Sequence, residues 1–291
     1  MLTALIEQFI NGAMVGSIYV LMALGMVLIY GVMHVLNFAH GTLFMVGGYL
    51  CHLFFFKLTS SYPASIALSM LSLAAIGLVL ERAVFRPLRN DLQMQIVASI
   101  GLILIIQNGV LLLWGPHALQ MRTVTTDTFV ELGILRLTLQ HFVIIGTVAI
   151  TIAALYFFLA YTRIGTALRA TSQNPEAARV VGVNPDHMFM LTFFVACALA
   201  GLGGALLGPL YLIFPQMGEL PMLKALAAII LGGMASVPGA IVGGFAIGII
   251  ESISTLFIPT DYRDAVVFGI LILTLLVRPW GLFGVRVRGE T

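Results

Sequence analysis

Apolar runs of about 20 residues recur along the whole chain, at roughly 6–30, 38–58, 62–85, 94–114, 138–161, 188–213, 223–258 and 264–279. A helix of that length crosses the hydrocarbon core of a bilayer, whereas a membrane strand needs only about ten residues. Inside lipid every peptide group must bond within its own helix or within a closed barrel. The runs therefore predict an all-α fold, a polytopic transmembrane helical bundle of about eight spans plus a broken or re-entrant segment. Charge agrees, since 9% of residues are charged and 60% are hydrophobic, against about 25% charged in soluble domains. The opening MLTALIEQ lacks a basic stretch and leads straight into the first run, which reads as a membrane helix and not a cleaved leader. A net charge of +2 suggests no nucleic-acid partner. Cys51 and Cys197 lie in apolar runs and read as buried free thiols.

The seventh run, 223–258, is too long for one ordinary span. Pro238, with Gly232, Gly233 and Gly239 around it, splits the run into a short piece and a normal helix. Irregular backbone at membrane depth is tolerated only against protein or a wet cavity. Arginines set the orientation. Arg82, Arg86 and Arg89, then Arg163, Arg169 and Arg179, then Arg278, Arg286 and Arg288 account for nine of twelve. All three segments are expected on the cytoplasmic side. Eight simple crossings cannot satisfy this, and a re-entrant piece within 223–258 removes the conflict. The loop near 115–137 is then outside and reads as a short ordered cover. Three G-x-x-x-G pairs, Gly12 with Gly16, Gly204 with Gly208 and Gly244 with Gly248, predict close helix packing, within the chain or between the subunits of a homo- or heterodimer.

The long polar stretch 163–187 reads as an ordered object. Asn174-Pro175 is a helix start, because Asn caps free N–H groups and Pro fits the first turn. Glu176 comes early and Arg179 late, as the helix dipole prefers. Gly182 supplies a left-handed stop, and Asn184-Pro185 repeats the start signal. Two readings stand on these residues alone. The short helix presents small Ala177 and Ala178 to a soluble partner, or Ala177, Ala178, Val180 and Val181 rest on lipid headgroups.

Enzyme chemistry is missing from the sequence. The two lysines, Lys57 and Lys224, follow no glycine-rich loop, so there is no P-loop. Neither a G-x-S-x-G elbow nor an H-E-x-x-H pair occurs, and His34 and His40 have no carboxylate nearby, so neither a metal nor a cofactor is expected. The polar residues within the runs are candidate pathway groups. They are Asn37 and His40 in NFAHG, Gln107 and Asn108 in the fourth run, and Glu251 in the seventh. Each has a packing alternative: Asn37 as a cap, His40 bonded to an adjacent loop, and the others bonded across helices. With Glu251 as the one convincing buried acid, a secondary transporter or channel is the alternative function.

Glu176-Ala177-Ala178 followed by Gly182 resembles the E-A-A loop of ABC-importer permeases. GSIYVLMALGMVLIYGVMHVLNFAHG (16–41), GGMASVPGAIVGGFAIGIIES (232–252) and RPWGLFG (278–284) are similar to blocks of the LivH-type permeases of branched-chain amino acid importers. Ala235 departs from the glycine expected there. The resemblance implies one permease domain over 1–291, multi-pass in a bacterial inner membrane, and no enzyme activity of its own. It implies a LivM-like second permease, two ABC ATPase subunits and an extracytoplasmic substrate-binding protein as partners. It makes Arg169, Glu176, Ala177, Ala178 and Gly182 the coupling residues. The solutes it implies are branched-chain amino acids or related amino acids and amides, and the sparse charges suit a zwitterion or a neutral amide.

Overall fold

The computed structural model describes residues 2–89, 91–132 and 135–283. Among them seven helices are long and apolar enough to cross a membrane. They are α1 (Leu2–Met33), α2 (His40–Phe54, extended by a π-helical turn to Thr59), α3 (Tyr62–Leu80, extended likewise to Phe85), α4 (Leu92–Trp114), α6 (Leu139–Tyr161), α9 (Pro185–Leu207) and α11 (Val237–Ser254). Two shorter helices, α10 (Glu219–Gly232) and α12 (Arg263–Val277), complete the membrane part. The expected eighth span is thus the 15-residue α12, and the expected broken segment is α10 followed by α11.

The core forms around α1, which packs on α11, α9, α10 and α6. Glycine makes the closest of these contacts possible. A methyl group on Gly12 would lie 2.6 Å from Ile249 Cα, and one on Gly16 would lie 3.0 Å from Phe245 Cα. Gly244 and Gly248 return the contact from α11, so these two pairs zip α1 to α11 within one chain. Gly204 is pressed against the Phe44 carbonyl of α2, while Gly208 meets Ile213 of its own loop. The pairs therefore serve packing inside the subunit.

Two helices begin at depth. His40, at the start of α2, packs on Gly25 of α1, which also meets the Ala196 carbonyl half-way along α9. Gly41 then meets Gly218, the residue before α10, so closely that a side chain on Gly218 would collide with the Gly41 carbonyl. Both helices thus start near the middle of the bundle and run in opposite directions. α10 ends at Gly233, which has φ +109. The Leu231 and Gly232 carbonyls freed at that end accept the N–H groups of Leu282 and Phe283, at 2.8 and 2.9 Å. The C-terminal segment therefore satisfies backbone that no water would reach. Gly281, at φ +76, makes the turn that brings it there. α11 restarts at once, with Ser236 Oγ accepting from Gly239 N–H at 3.1 Å.

The bundle has two distinct ends. At one, the chain between α4 and α6 forms a helical turn, α5 (Val124–Asp127), and a hairpin, β1 (Phe129–Leu132) with β2 (Leu135–Thr138). This is the expected ordered cover. Gln140 fastens it, donating to Tyr62 Oη at 2.8 Å and the Leu206 carbonyl at 2.9 Å and accepting from Thr125 Oγ1 at 2.6 Å. At the other end lie the first two arginine clusters and two helices, α7 (Arg163–Gln173) and α8 (Pro175–Val180). The helix over 163–173 is missing from the sequence reading. It is amphipathic: Leu168 joins Val32 and Phe189 in a small apolar cluster, and Thr162 Oγ1 caps its first turn by accepting from Gly165 N–H at 2.9 Å. Arg286 and Arg288 lie outside the described residues.

Candidate functional site

The start of α10 opens a cleft of about 390 Å³ between α1, the segment after α9, α10, α11 and α12. Its walls are mostly apolar, from side chains such as Val15, Ile18, Leu212 and Leu220. Its charged cluster draws on three places in the chain, α10, α11 and the start of α12. Glu251 is buried, with Oε2 accepting from Tyr19 Oη at 2.8 Å and Oε1 accepting from Lys224 Nζ at 2.7 Å. Lys224, also buried, has its second carboxylate in Asp264 Oδ1 at 2.7 Å. Arg263 is half-exposed and its Nε is 3.6 Å from Glu251 and 3.8 Å from Asp264. Two cations therefore meet two carboxylates and the cluster is neutral. An isolated charge at this depth would cost about 2.5–3.5 kcal/mol or more, and pairing is what lets these four persist.

Glu219 lines the same cleft from the first turn of α10 and is exposed. Its Oε1 accepts from Gln107 Nε2 of α4 at 2.9 Å. A second cavity, of about 260 Å³, adjoins the cluster from the side of Gln8, Asn11, His141 and Ser252. Glu251 and Arg263 line both.

At the far end of the bundle α8 stands on α7 and α9. Asn174 Oδ1 accepts from the N–H groups of Glu176 and Ala177, each at 3.0 Å. Gly182 has φ +89 and ends the helix, and Asn184 Oδ1 caps α9 by accepting from Asp186 N–H at 3.0 Å. The start, the stop and the second start are those read from the sequence. Val180 and Val181 are 87% and 75% exposed, an unusual state for two adjacent valines at a helix tip. The neck beside α8 is rigid. Asp186 bridges Arg86 and Arg89, and Arg89 donates to the fully buried Glu81 at 2.8 Å while its guanidinium lies over the Phe189 ring.

Residues 8–275 match the family described as branched-chain amino acid transport system / permease component. The chain belongs to this permease family. It is 33% identical over 96% of its length to the high-affinity branched-chain amino acid transport system permease protein LivH of Escherichia coli K12, covering 95% of that protein. Its identity to the permease protein BraD of Pseudomonas aeruginosa is 32%, over 96% and 95% of the two chains. A probable LivH of Methanocaldococcus jannaschii is 31% identical, over 96% and 93%. No solved structure matches.

Within this permease the polar residues singled out by sequence separate into three groups. Glu251 combines both readings, since it is bonded to neighbouring helices and also lines the cleft. Gln107 reaches the cleft through Glu219, whereas Asn108 is exposed on α4 and donates to its own helix at the Leu104 carbonyl. Asn37 and His40 are buried at the start of α2, away from the cleft walls. Asn37 Oδ1 accepts from Ala39 N–H at 3.0 Å, so it caps the turn before the helix and not the helix itself. His40 has no partner on either ring nitrogen among the described residues, which removes the expected bond to a loop. Ala178 is buried beneath α8 against its own chain, whereas Glu176, Ala177, Arg179, Val180 and Val181 face outward. Arg169 is exposed on α7, donating weakly to the Ala160 carbonyl at 3.5 Å. The expectation of few charges is also revised. Lys224, Arg263 and Asp264 went unread because Lys224 is isolated in its apolar run, Arg263 and Asp264 sit at the edge of another, and only folding brings them to Glu251.

Proposed function

We propose that this chain is the membrane subunit of an ATP-driven importer for branched-chain amino acids, acting in the inner membrane of a bacterial cell. A LivM-like second permease completes the pore, two ABC ATPase subunits bind the arginine-rich end, and an extracytoplasmic binding protein delivers the solute at the hairpin end. The carrying observation is α8: a short helix, capped at both ends, that holds two valines in the open in a member of this permease family. A helix of six residues is too short to persist alone. Its caps and the buried Ala178 keep it formed, so the outward face is ready before a partner arrives. Closure of the ATPase pair then moves α7 and α8 as one body with α9, because Asp186 ties the start of α9 to the α3–α4 turn. The solute path in this reading runs past the cleft.

Val180→Asp with Val181→Asp tests the reading. Both side chains are exposed, so the change in fold stability is expected within about 0.5 kcal/mol. The double variant should insert at the wild-type level, lose co-purification of the ATPase subunits and lose uptake. Wild-type recovery of the ATPases with the double variant would make α8 a bare connector and remove the coupling role.

A further inference from the structure

The cleft carries a charge pattern that its own internal pairing leaves unused. Lys224 is consumed by Glu251 and Asp264 at 2.7 Å each. Arg263 is not, since the contacts to its two carboxylates run through Nε at 3.6 and 3.8 Å, longer than a hydrogen bond. Its two terminal nitrogens donate to no acceptor among the described residues, while the side chain lines the cleft. A guanidinium fork held from behind in this way presents the paired donors that a carboxylate accepts. Glu219 is the only other charged group on the cleft wall besides the internally paired Lys224 and Glu251. One of its oxygens accepts from Gln107, and the other has no donor among the described residues. The rest of the wall is mostly apolar, with Leu212, Leu220 and Pro221 beside the rings of Tyr19, Tyr211 and Phe214. The volume falls within the range of about 300–1,000 Å³ usual for small-molecule sites.

We infer that Arg263 and Glu219 are the two anchors of a solute-binding station in this subunit, taking respectively the carboxylate and the ammonium group of a free α-amino acid with an aliphatic side chain. The inference rests on the importer reading and deepens it, because it assigns recognition to the membrane subunit as well as to the delivering protein. The Lys224–Glu251–Asp264 set, one cation with two carboxylates, carries a net negative charge that holds Arg263 in place through Nε and leaves its terminal donors free among the described residues, and Gln107 positions Glu219. A solute carrying only one charge leaves one anchor without its partner in the cleft, which is where discrimination comes from.

The test uses the assembled importer in proteoliposomes. Leu212 lines the cleft and is 50% exposed, and both native cysteines are buried, so Leu212→Cys supplies one accessible thiol. Saturating leucine should slow its modification severalfold. Leucine methyl ester, which lacks the carboxylate, and isocaproate, which lacks the ammonium group, should not. Equal protection by all three, or protection by none, overturns the station. In the otherwise native chain, Arg263→Gln and Glu219→Gln should each lower leucine uptake about tenfold or more, with normal assembly and partial rescue by Arg263→Lys. Wild-type uptake in both variants also overturns the station and leaves the importer reading standing. A native complex that takes up no amino acid overturns the importer reading, and the station with it.

Discussion

Lys224 shows how far one side chain depends on its neighbours. It is 2% exposed and held by two carboxylates, one on α11 and one at the start of α12. Removing one member of a buried ion pair costs about 3–5 kcal/mol, because the other is left uncompensated. Lys224→Met should therefore lower the melting temperature of the purified subunit strongly, while Glu251→Gln, which keeps a hydrogen-bonding side chain beside Tyr19, should lower it less. Equal melting temperatures for both variants and the native chain would show that the cluster adds nothing to the fold. The sequence marks Glu251 as unusual because it is an acid inside an apolar run. It cannot mark Lys224 as its partner, since 27 residues separate them and the turn that folds α10 back on α11 is what closes the gap. The same limit applies to His40, which is polar in the sequence and enclosed without a partner in the fold.

At the scale of elements, glycines decide where helices can meet. Gly218 and Gly41 let the starts of α10 and α2 touch at backbone distance. Gly218→Leu would drive a side chain into the Gly41 carbonyl and force the two starts apart. Uptake should be lost and the yield of folded protein reduced, whereas Gly101→Leu, on open surface of α4, should leave both unchanged. Similar uptake by the two variants would deny the contact its role. The break between α10 and α11 is legible because Pro238 and three glycines have no other reason to cluster within a membrane run. The short helix α8 is equally legible, from the Asn-Pro that starts it and from the Gly182 stop and second Asn-Pro that follow it. α7 escapes notice because its apolar positions are few and its polar face resembles a loop. What stabilises it is the pocket formed by Val32 and Phe189, from two distant helices. Ala178 shows a finer limit: a sequence names the residues of a short helix, but which face turns inward is set by the body beneath it.

Viewed whole, the molecule places its hairpin and α8 at opposite ends of the bundle, so orientation is testable with two cysteines. Val124, beside the hairpin, and Val180, on α8, are 80% and 87% exposed. In intact cells an impermeant thiol reagent should modify Val124→Cys and spare Val180→Cys, and inverted vesicles should reverse the result. The opposite pattern would invert the topology and remove α8 from the ATPase side. The bare valine tip has one more consequence, for turnover. A copy made in excess of its partners keeps Val180 and Val181 in water, where chaperones and proteases survey uncovered apolar surface. Under the proposed coupling role, cellular abundance of this chain should then follow the supply of the ATPase subunits: pulse-chase labelling should show a short half-life when the chain is expressed alone and a longer one on co-expression, a quality check on stoichiometry written into two side chains.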